Sequence, residues 1–412
     1  MDTMKVRDAG DVEQVVRAAL ASDQPLEIIG HGSKRQIGQP MATNALLDVS
    51  ALNAISAYEP NELIITVQAG APLADVQSLI DSKNQQFAFE PVNVSALLGT
   101  PDIGTIGGMI AAGLAGPRRI KAGGVRDHLL GANAVSGFGD SFKTGGKVVK
   151  NVTGYDLCKL LAGSWGTLAV MTEVTLKVMP KPESERTLLL HGLDALTANR
   201  AMTVALGSPF DVSGAAHLPN STFRPATGAL AELGSPGQAV TLLRLEGIAA
   251  SASHRAGSLG KLLAPFGKVE LLQDADSVAA WNAIRDVQPF VASGARGAWP
   301  VWRIVCPPAS GGALGEQLSH ETGGDVIYDW AGGLIWAALP PRADAQARLV
   351  RERVNAVGGH ATLIRASEPV RRDVEVFHPQ PAGLAALGQR VRQSFDPRGI
   401  LNRGRLTRGA AT

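Results

Sequence analysis

The chain has 412 residues, 45% hydrophobic and 18% charged, with a formal net charge of +2. That length favours two or three packed units over one core. The near-neutral balance, with no basic run, excludes a nucleic-acid surface, and no stretch approaches the roughly 18 apolar residues of a membrane span.

In chain order, Val12, Val15, Val16, Ala19 and Leu20 repeat at helical spacing behind the capping residues Asp8 and Asp11, and Leu26 to Ile29 reads as a buried strand. Leu63 to Val67 is a second β-branched run, followed by Gly70, Pro72 and a helix face of Leu73, Val76, Leu79 and Ile80. Glycine then crowds the stretch from Gly99 to Gly146; the chain carries 47 in all, well above the roughly 7% of an average protein. Leu168 to Met179 alternates as a strand, and Pro180 and Pro182 mark a boundary.

Residues 184 to about 366 read as two rounds of strand–helix–strand–strand–helix–strand, each a split-βαβ, ferredoxin-like unit. The first takes strands Thr187 to His191, 214–218, 239–246 and Val269 to Leu272, with helices near 195–206 and 251–263. A helix around Val278 to Ile284 joins it to the second, with strands Val301 to Val305, 325–329, 333–338 and Ala361 to Arg365 and helices near 311–320 and 343–356. The last segment offers a helix face of Leu384, Leu387, Val391 and Phe395, expected to rest on a core elsewhere, then a sharp turn at Asp396-Pro-Arg-Gly and a tail.

Three clusters carry chemistry. Pro25-Leu-Glu-Ile-Ile-Gly-His-Gly-Ser-Lys-Arg-Gln-Ile-Gly38 runs from a strand into a loop whose Gly30, Gly32, Ser33 and Lys34 can turn backbone N–H groups and an ammonium toward a diphosphate. A tight turn that needs glycine is the other reading of this loop, which has neither a GxGxxG fingerprint nor a Walker loop. In the second, Pro101 through Arg119, the paired Gly107 and Gly108 open a helix whose first turn is stripped to Ala, Ala and Gly, so that an anionic or flat group can lie against it. Close helix–helix contact is the alternative. In the third, Lys147 through Lys177, a helix from about Asp156 to Leu161 leads through Gly163-Ser-Trp-Gly-Thr167 into a strand.

On Gly104-Thr-Ile-Gly-Gly108 with Ala112 and Gly116, Val125-Arg-Asp-His-Leu-Leu-Gly131, Val149-Lys-Asn-Val-Thr-Gly-Tyr-Asp156 through Thr167, and the tail Phe395 to Arg405, the chain resembles FAD-binding oxidoreductases of the vanillyl-alcohol-oxidase type. Within that group it is similar to the FAD-binding E subunits of bacterial glycolate oxidases. The resemblance implies an α+β fold: a two-part PCMH-type FAD-binding domain over 1–180 (subdomains about 1–60 and 61–180), a duplicated ferredoxin-like cap over 181–366, and a C-terminal segment, 367–412, returning to the FAD domain. It places Gly30, Gly32, Ser33, Lys34, Thr105, Gly107 and Gly108 around the diphosphate of FAD and Gly163, Gly166, Thr167 and Val170 along the rest of the cofactor, with His31, Pro101, Gly104, Ala112, Gly116 and Asn402 also among the cofactor-binding residues. Ser33 aligns with the histidine of covalently flavinylated relatives, so FAD is expected to be non-covalent; His31 is offset by two positions and reads as a loop residue.

The resemblance further implies oxidation of glycolate or a related small 2-hydroxy acid, with a homologous FAD-containing catalytic subunit and an iron–sulfur subunit as partners. A self-sufficient FAD oxidoreductase acting on another alcohol or 2-hydroxy acid, and an assembly subunit without catalysis, are the competing readings. The eight histidines are scattered singly, so no metal site is expected. Arg118, Arg119 and Arg126 are candidates to neutralise a substrate carboxylate or the reduced flavin, with a salt bridge between domains as their alternative. His128 is a candidate base. Cys158 and Cys306 read as free thiols and the N-terminus lacks a signal pattern, so a cytoplasmic location is expected, with membrane association only through partner subunits.

Overall fold

A computed structural model describes residues 2–43, 45–146, 155–223, 228–231, 233 and 238–407. Residues 147–154 of the third glycine-containing cluster lie outside them.

The chain opens with three parallel strands, Asp2–Lys5, Ala45–Asp48 and Leu26–Ile29 in that spatial order. Parallel neighbours need a crossover, and the helix Ala9–Ser22 supplies one. Asp8 caps it by accepting from the Asp11 backbone N–H at 2.8 Å, and Val12, Val16 and Ala19 bury against Leu26, Ala45 and Leu47. A second sheet is wholly antiparallel, with strands Ile55–Glu59, Ile64–Gln68, Ala169–Lys177, Leu129–Ser136 and Ser141–Gly145 in spatial order. The helices Leu73–Asp81 and Ile106–Ala112 lie on its buried face. The second helix sits so close that a Cβ on Gly107 would come within 2.9 Å of Ala69.

The third sheet has eight antiparallel strands between Ser184 and Arg365. Its two halves follow the twice-repeated pattern of the sequence and meet between Gly214–Leu218 and Asp325–Asp329, where His217 pairs with Tyr328. Strand alternation sends Leu188, Leu190, Ile304 and Leu363 toward the helices on one face. It sends Leu189, Leu242, Leu334 and Ile364 into a core shared with Val92, Leu97, Leu114 and Trp165. The helix expected from 343 begins at Ala347. Ala345 and Gln346 take φ of 48° and 59° just before it, which breaks the helical run. The helix expected from Asp156 shortens to Cys158–Leu161.

The tail returns to the first sheet. Leu26 N–H donates to Ile400 O at 2.8 Å and Asn402 N–H to Leu26 O at 2.9 Å, while the Asp396 carboxylate accepts from the backbone of Ile400 and Leu401. The helix Ala382–Phe395 corrects one expectation: Val391 and Phe395 pack on the five-stranded sheet's core, but Leu384 and Leu387 are 53% and 48% exposed. Its N-terminal half projects past the surface that could cover it. No helix among the described residues is long and apolar enough to cross a membrane.

Candidate functional site

The strand Leu26–Ile29 delivers the chain into the loop 30–38 directly beside the loop 101–105. A Cβ on Gly30 would stand 2.5 Å from Thr105 Oγ1, and one on Gly104, whose φ is +93°, would stand 2.3 Å from Ser33 Oγ. Glycine at 30 and 104 is what lets the two loops meet. Lys34 Nζ donates to Ile103 O at 3.2 Å and lies 3.3 Å from Ser33 Oγ. Burial draws its ammonium down to about 8, partly offset by the charge of Asp102. His31 sits at the edge with Nδ1 3.1 Å from Asp102 Oδ2.

Behind these loops runs a cleft between the two sheets of the first 180 residues. The helix Ile106–Ala112 lines one wall with Gly107, Gly108, Ala111 and Ala112, and Val49, Ala69, Ala169 and Met171 form the apolar floor. Trp165, Gly166, Asn402 and Arg405 close the far side. Asn402 ties this side together: its side chain accepts from Ile28 N–H at 2.8 Å and donates to Trp165 O at 2.7 Å. The cleft takes in about 710 Å³ between its walls, open part included.

Of the residues singled out by sequence, Gly30, His31, Gly32, Ser33, Lys34, Thr105, Gly107, Gly108, Ala112, Gly166 and Asn402 all line this cleft. The others do not. Gly104 supports the loop contact, and Pro101 is exposed. Gly116 is pressed against Glu90 and accepts from Trp330 Nε1 at 3.0 Å. Gly163 donates its N–H to Ile110 O, Thr167 Oγ1 donates to Ser164 O, and Val170 belongs to the core beneath the parallel strands. The helix starts at Ile106, capped by Thr105, so the first turn carries Gly107 and Gly108, and Ala111 and Ala112 close the helix instead of opening it. Trp165 and Arg405 were not singled out; their ring and guanidinium, 5.5 Å apart, come together only through the returning tail.

Arg118 is committed elsewhere. Its guanidinium is 2.7 Å from Glu246 and 3.1 Å from Glu90, and fully buried Arg244 pairs with Glu90 at 2.9 Å. Glu90 and Arg118 come from the first part of the chain, Arg244 and Glu246 from the eight-stranded sheet, so this is the salt bridge between the parts. Burial opposes ionisation of Glu90, but the two arginines hold its carboxyl below the usual range. Arg119 is exposed and stacks 4.5 Å over Trp330. His128 is buried against Phe89 with Nε2 2.9 Å from Ala122 O and lowered by burial; it does not line the cleft. Among the described residues, no three His, Cys, Asp or Glu side chains converge as a metal set.

Known proteins agree with this architecture. The model of the family "FAD binding domain" matches residues 3–145. Glycolate oxidase subunit GlcE of Escherichia coli (strain K12) is 30% identical over 397 residues, 95% of each chain. Glycolate oxidase subunit GlcD of Bacillus subtilis (strain 168) is 32% identical over 186 residues, 44% of this chain and 38% of that one. The crystal structure of p-cresol methylhydroxylase with substrate bound superposes with a TM-score of 0.73 at 13% identity, covering 98% of this chain and 88% of that one, which shows the shared fold. The residues present fit the cofactor: a loop pair held open by glycine, a buried ammonium beside it, and an apolar floor behind. On sequence and fold together, the chain belongs to the GlcE family of FAD-binding oxidoreductase subunits.

Proposed function

We propose that this chain is the FAD-binding subunit of a complex that oxidises glycolate or a related 2-hydroxy acid to the 2-oxo acid, with FAD held non-covalently and electrons leaving to an iron–sulfur subunit. The observation that carries the reading is the convergence of eleven expected residues on one cleft. We divide the chain at 180 and 366 into FAD domain, cap and returning segment. Lys34 would neutralise part of the diphosphate charge, and Gly30, Gly32 and Gly108 would leave backbone N–H groups uncovered beside it. Ala112, Gly166 and Asn402 would border the rest of the cofactor, against the apolar floor of Ala169 and Met171. Bound there, FAD supplies the capacity to accept two electrons and release them singly.

Two side chains support non-covalent binding. Ser33, at the attachment position of flavinylated relatives, is buried against Gly104 and cannot make that bond. His31 turns to Asp102. The names of two relatives, glycolate oxidase subunits GlcE and GlcD, support an assembly in which a homologous subunit carries the acid–base chemistry, in the cytoplasm or at a membrane through partners.

The visible spectrum of the purified chain, taken before and after acid precipitation, tests this. Yellow colour released into the supernatant is expected. Colourless protein after gentle isolation refutes the flavin reading, and colour that stays with the pellet refutes non-covalent binding. Anaerobic glycolate, added with and without the partner subunits, then assigns the chemical step: bleaching is expected only with them.

A further inference from the structure

The face of the eight-stranded sheet that packs toward the FAD-binding part carries, apart from the Arg244–Glu246 network, a second cation on the strand next to the sheet's edge. Arg303, on the strand Val301–Val305, pairs across strands with Trp336 on one side and Thr362 on the other, so all three side chains stand on that face. Around it, Val301, Leu334 and Ile364 are buried in the core between the two parts. The Arg303 guanidinium lies 5.0 Å from the Trp330 ring centroid and 6.0 Å from that of Trp336. Its Nε is buried with no hydrogen-bond partner, and among the described residues no carboxylate stands within ion-pair distance. Asp329, the acid whose charge it feels, spends its carboxylate on the Trp330 backbone N–H at 2.7 Å.

A second cation approaches the same ring. Arg119, on the turn Arg119–Ala122, holds its guanidinium 4.5 Å from the Trp330 centroid and is open to solvent. His360 is two residues from Thr362 on the same strand, and therefore on the same face. Arg303 and Arg119 both disfavour its protonation, after burial has done so. Three basic groups thus gather with no carboxylate in ion-pair contact among the described residues, Asp329 being the acid that Arg303 feels. Withdrawing a guanidinium from water without an acceptor is costly, and stacking on tryptophan recovers only part of that. The free N–H groups of a planar guanidinium match a carboxylate, and the exposed side of Arg119 gives a small one access.

We infer that Arg303 and Arg119, meeting across the ring of Trp330, form a binding site for a small carboxylate, with Thr362 and His360 placed to hydrogen-bond an oxygen on the adjoining carbon. The site depends on the functional reading above only for the choice of 2-hydroxy and 2-oxo acids as occupants. It makes the chain a carboxylate binder in its own right.

The test titrates the full chain with glycolate at constant ionic strength, following tryptophan fluorescence and melting temperature, with chloride as control. A saturable fluorescence change and a rise in melting temperature are expected with glycolate and not with chloride. Arg303→Met and Arg119→Met should each weaken binding roughly tenfold or more, the loss of one charged hydrogen-bond set, and Arg303→Lys should retain part of it. A structural arginine would destabilise the fold when replaced, whereas Arg303→Met should melt at or above the parent temperature. Should that variant not fold, the exposed Arg119→Met decides. No saturable response, an equal response to chloride, or unchanged affinity in both methionine variants overturns the site. Flavin absorbance is read in the same samples: colourless protein that binds glycolate removes the flavin reading and keeps this site, and yellow protein with no response does the reverse.

Discussion

Replacing Arg244 with methionine tests whether the buried ion network holds the two halves of the molecule together. The guanidinium is 1% exposed, donates to both Glu90 oxygens at 2.9 and 3.0 Å and stacks 4.6 Å from the Trp281 ring. Glu90 belongs to the FAD-binding part and is 7% exposed. Methionine keeps much of the side-chain volume but leaves Glu90 and Glu246 facing each other with Arg118 alone between them. Breaking a buried pair from one side costs about 3–5 kcal/mol, because the remaining charge stays buried. Urea unfolding followed by far-ultraviolet circular dichroism should show that loss in Arg244→Met. Adding Glu90→Gln should recover part of it, since the stranded charge is then gone. A loss below about 1 kcal/mol, the size of a solvated surface pair, would refute the reasoning.

Three further outcomes follow from the same geometry. Gly104→Ala should weaken FAD binding at least tenfold, because it needs a φ of +93° and sets a Cβ 2.3 Å from Ser33 Oγ; fluorescence titration with FAD that returns the parent affinity would count against the loop pair. Lys34, drawn down to about 8 by burial, is charged below that pH, and a bound diphosphate favours the charged form. FAD affinity should therefore hold steady up to about pH 8 and fall above it, and Lys34→Met should be weaker and flat with pH. Glu185 is pushed up to about 7 by burial first, and by the Glu246 carboxylate against the pull of Arg244 and Arg118. A raised acid binds protons more tightly when folded, so the stability it allows is full below its ordinary value of 4.5 and is lost as pH rises through about 7. Urea midpoints of the parent should fall across that range, and those of Glu185→Gln should lack that slope.

What the sequence made legible is local in origin. Helical spacing and the Asp8 cap specify the first crossover helix, and short β-branched and aromatic runs such as Val301–Val305 specify the repeated strand–helix pattern, because each signal lies within one element. Glycine marked the cleft for a similar reason, since Gly104 needs its positive φ whatever surrounds it. Glycine does not say what it makes room for, however. Gly107 yields to Ala69 and Gly116 to Glu90, both packing demands, while Gly108 meets nothing closer than its own cap at 3.4 Å.

Charge was harder to read than glycine. Arg118 looks like a cofactor or substrate ligand beside the glycine helix, yet its carboxylate Glu246 lies 128 residues away, a pairing that only the docking of two sheets creates. Arg303 misleads in the opposite direction. In Val-Trp-Arg-Ile-Val it occupies the ordinary outward position of an alternating strand, where a cation signals solvent. The fold instead lays that face against the FAD-binding part and brings Trp330 and Arg119 to it from two other segments. A cofactor loop can be recognised along the chain because a single turn builds it. A substrate-sized anion site assembled from three distant segments leaves no local trace, so whether this subunit only binds flavin or also receives a carboxylate is decided at Arg303, not in the glycine-rich third of the sequence.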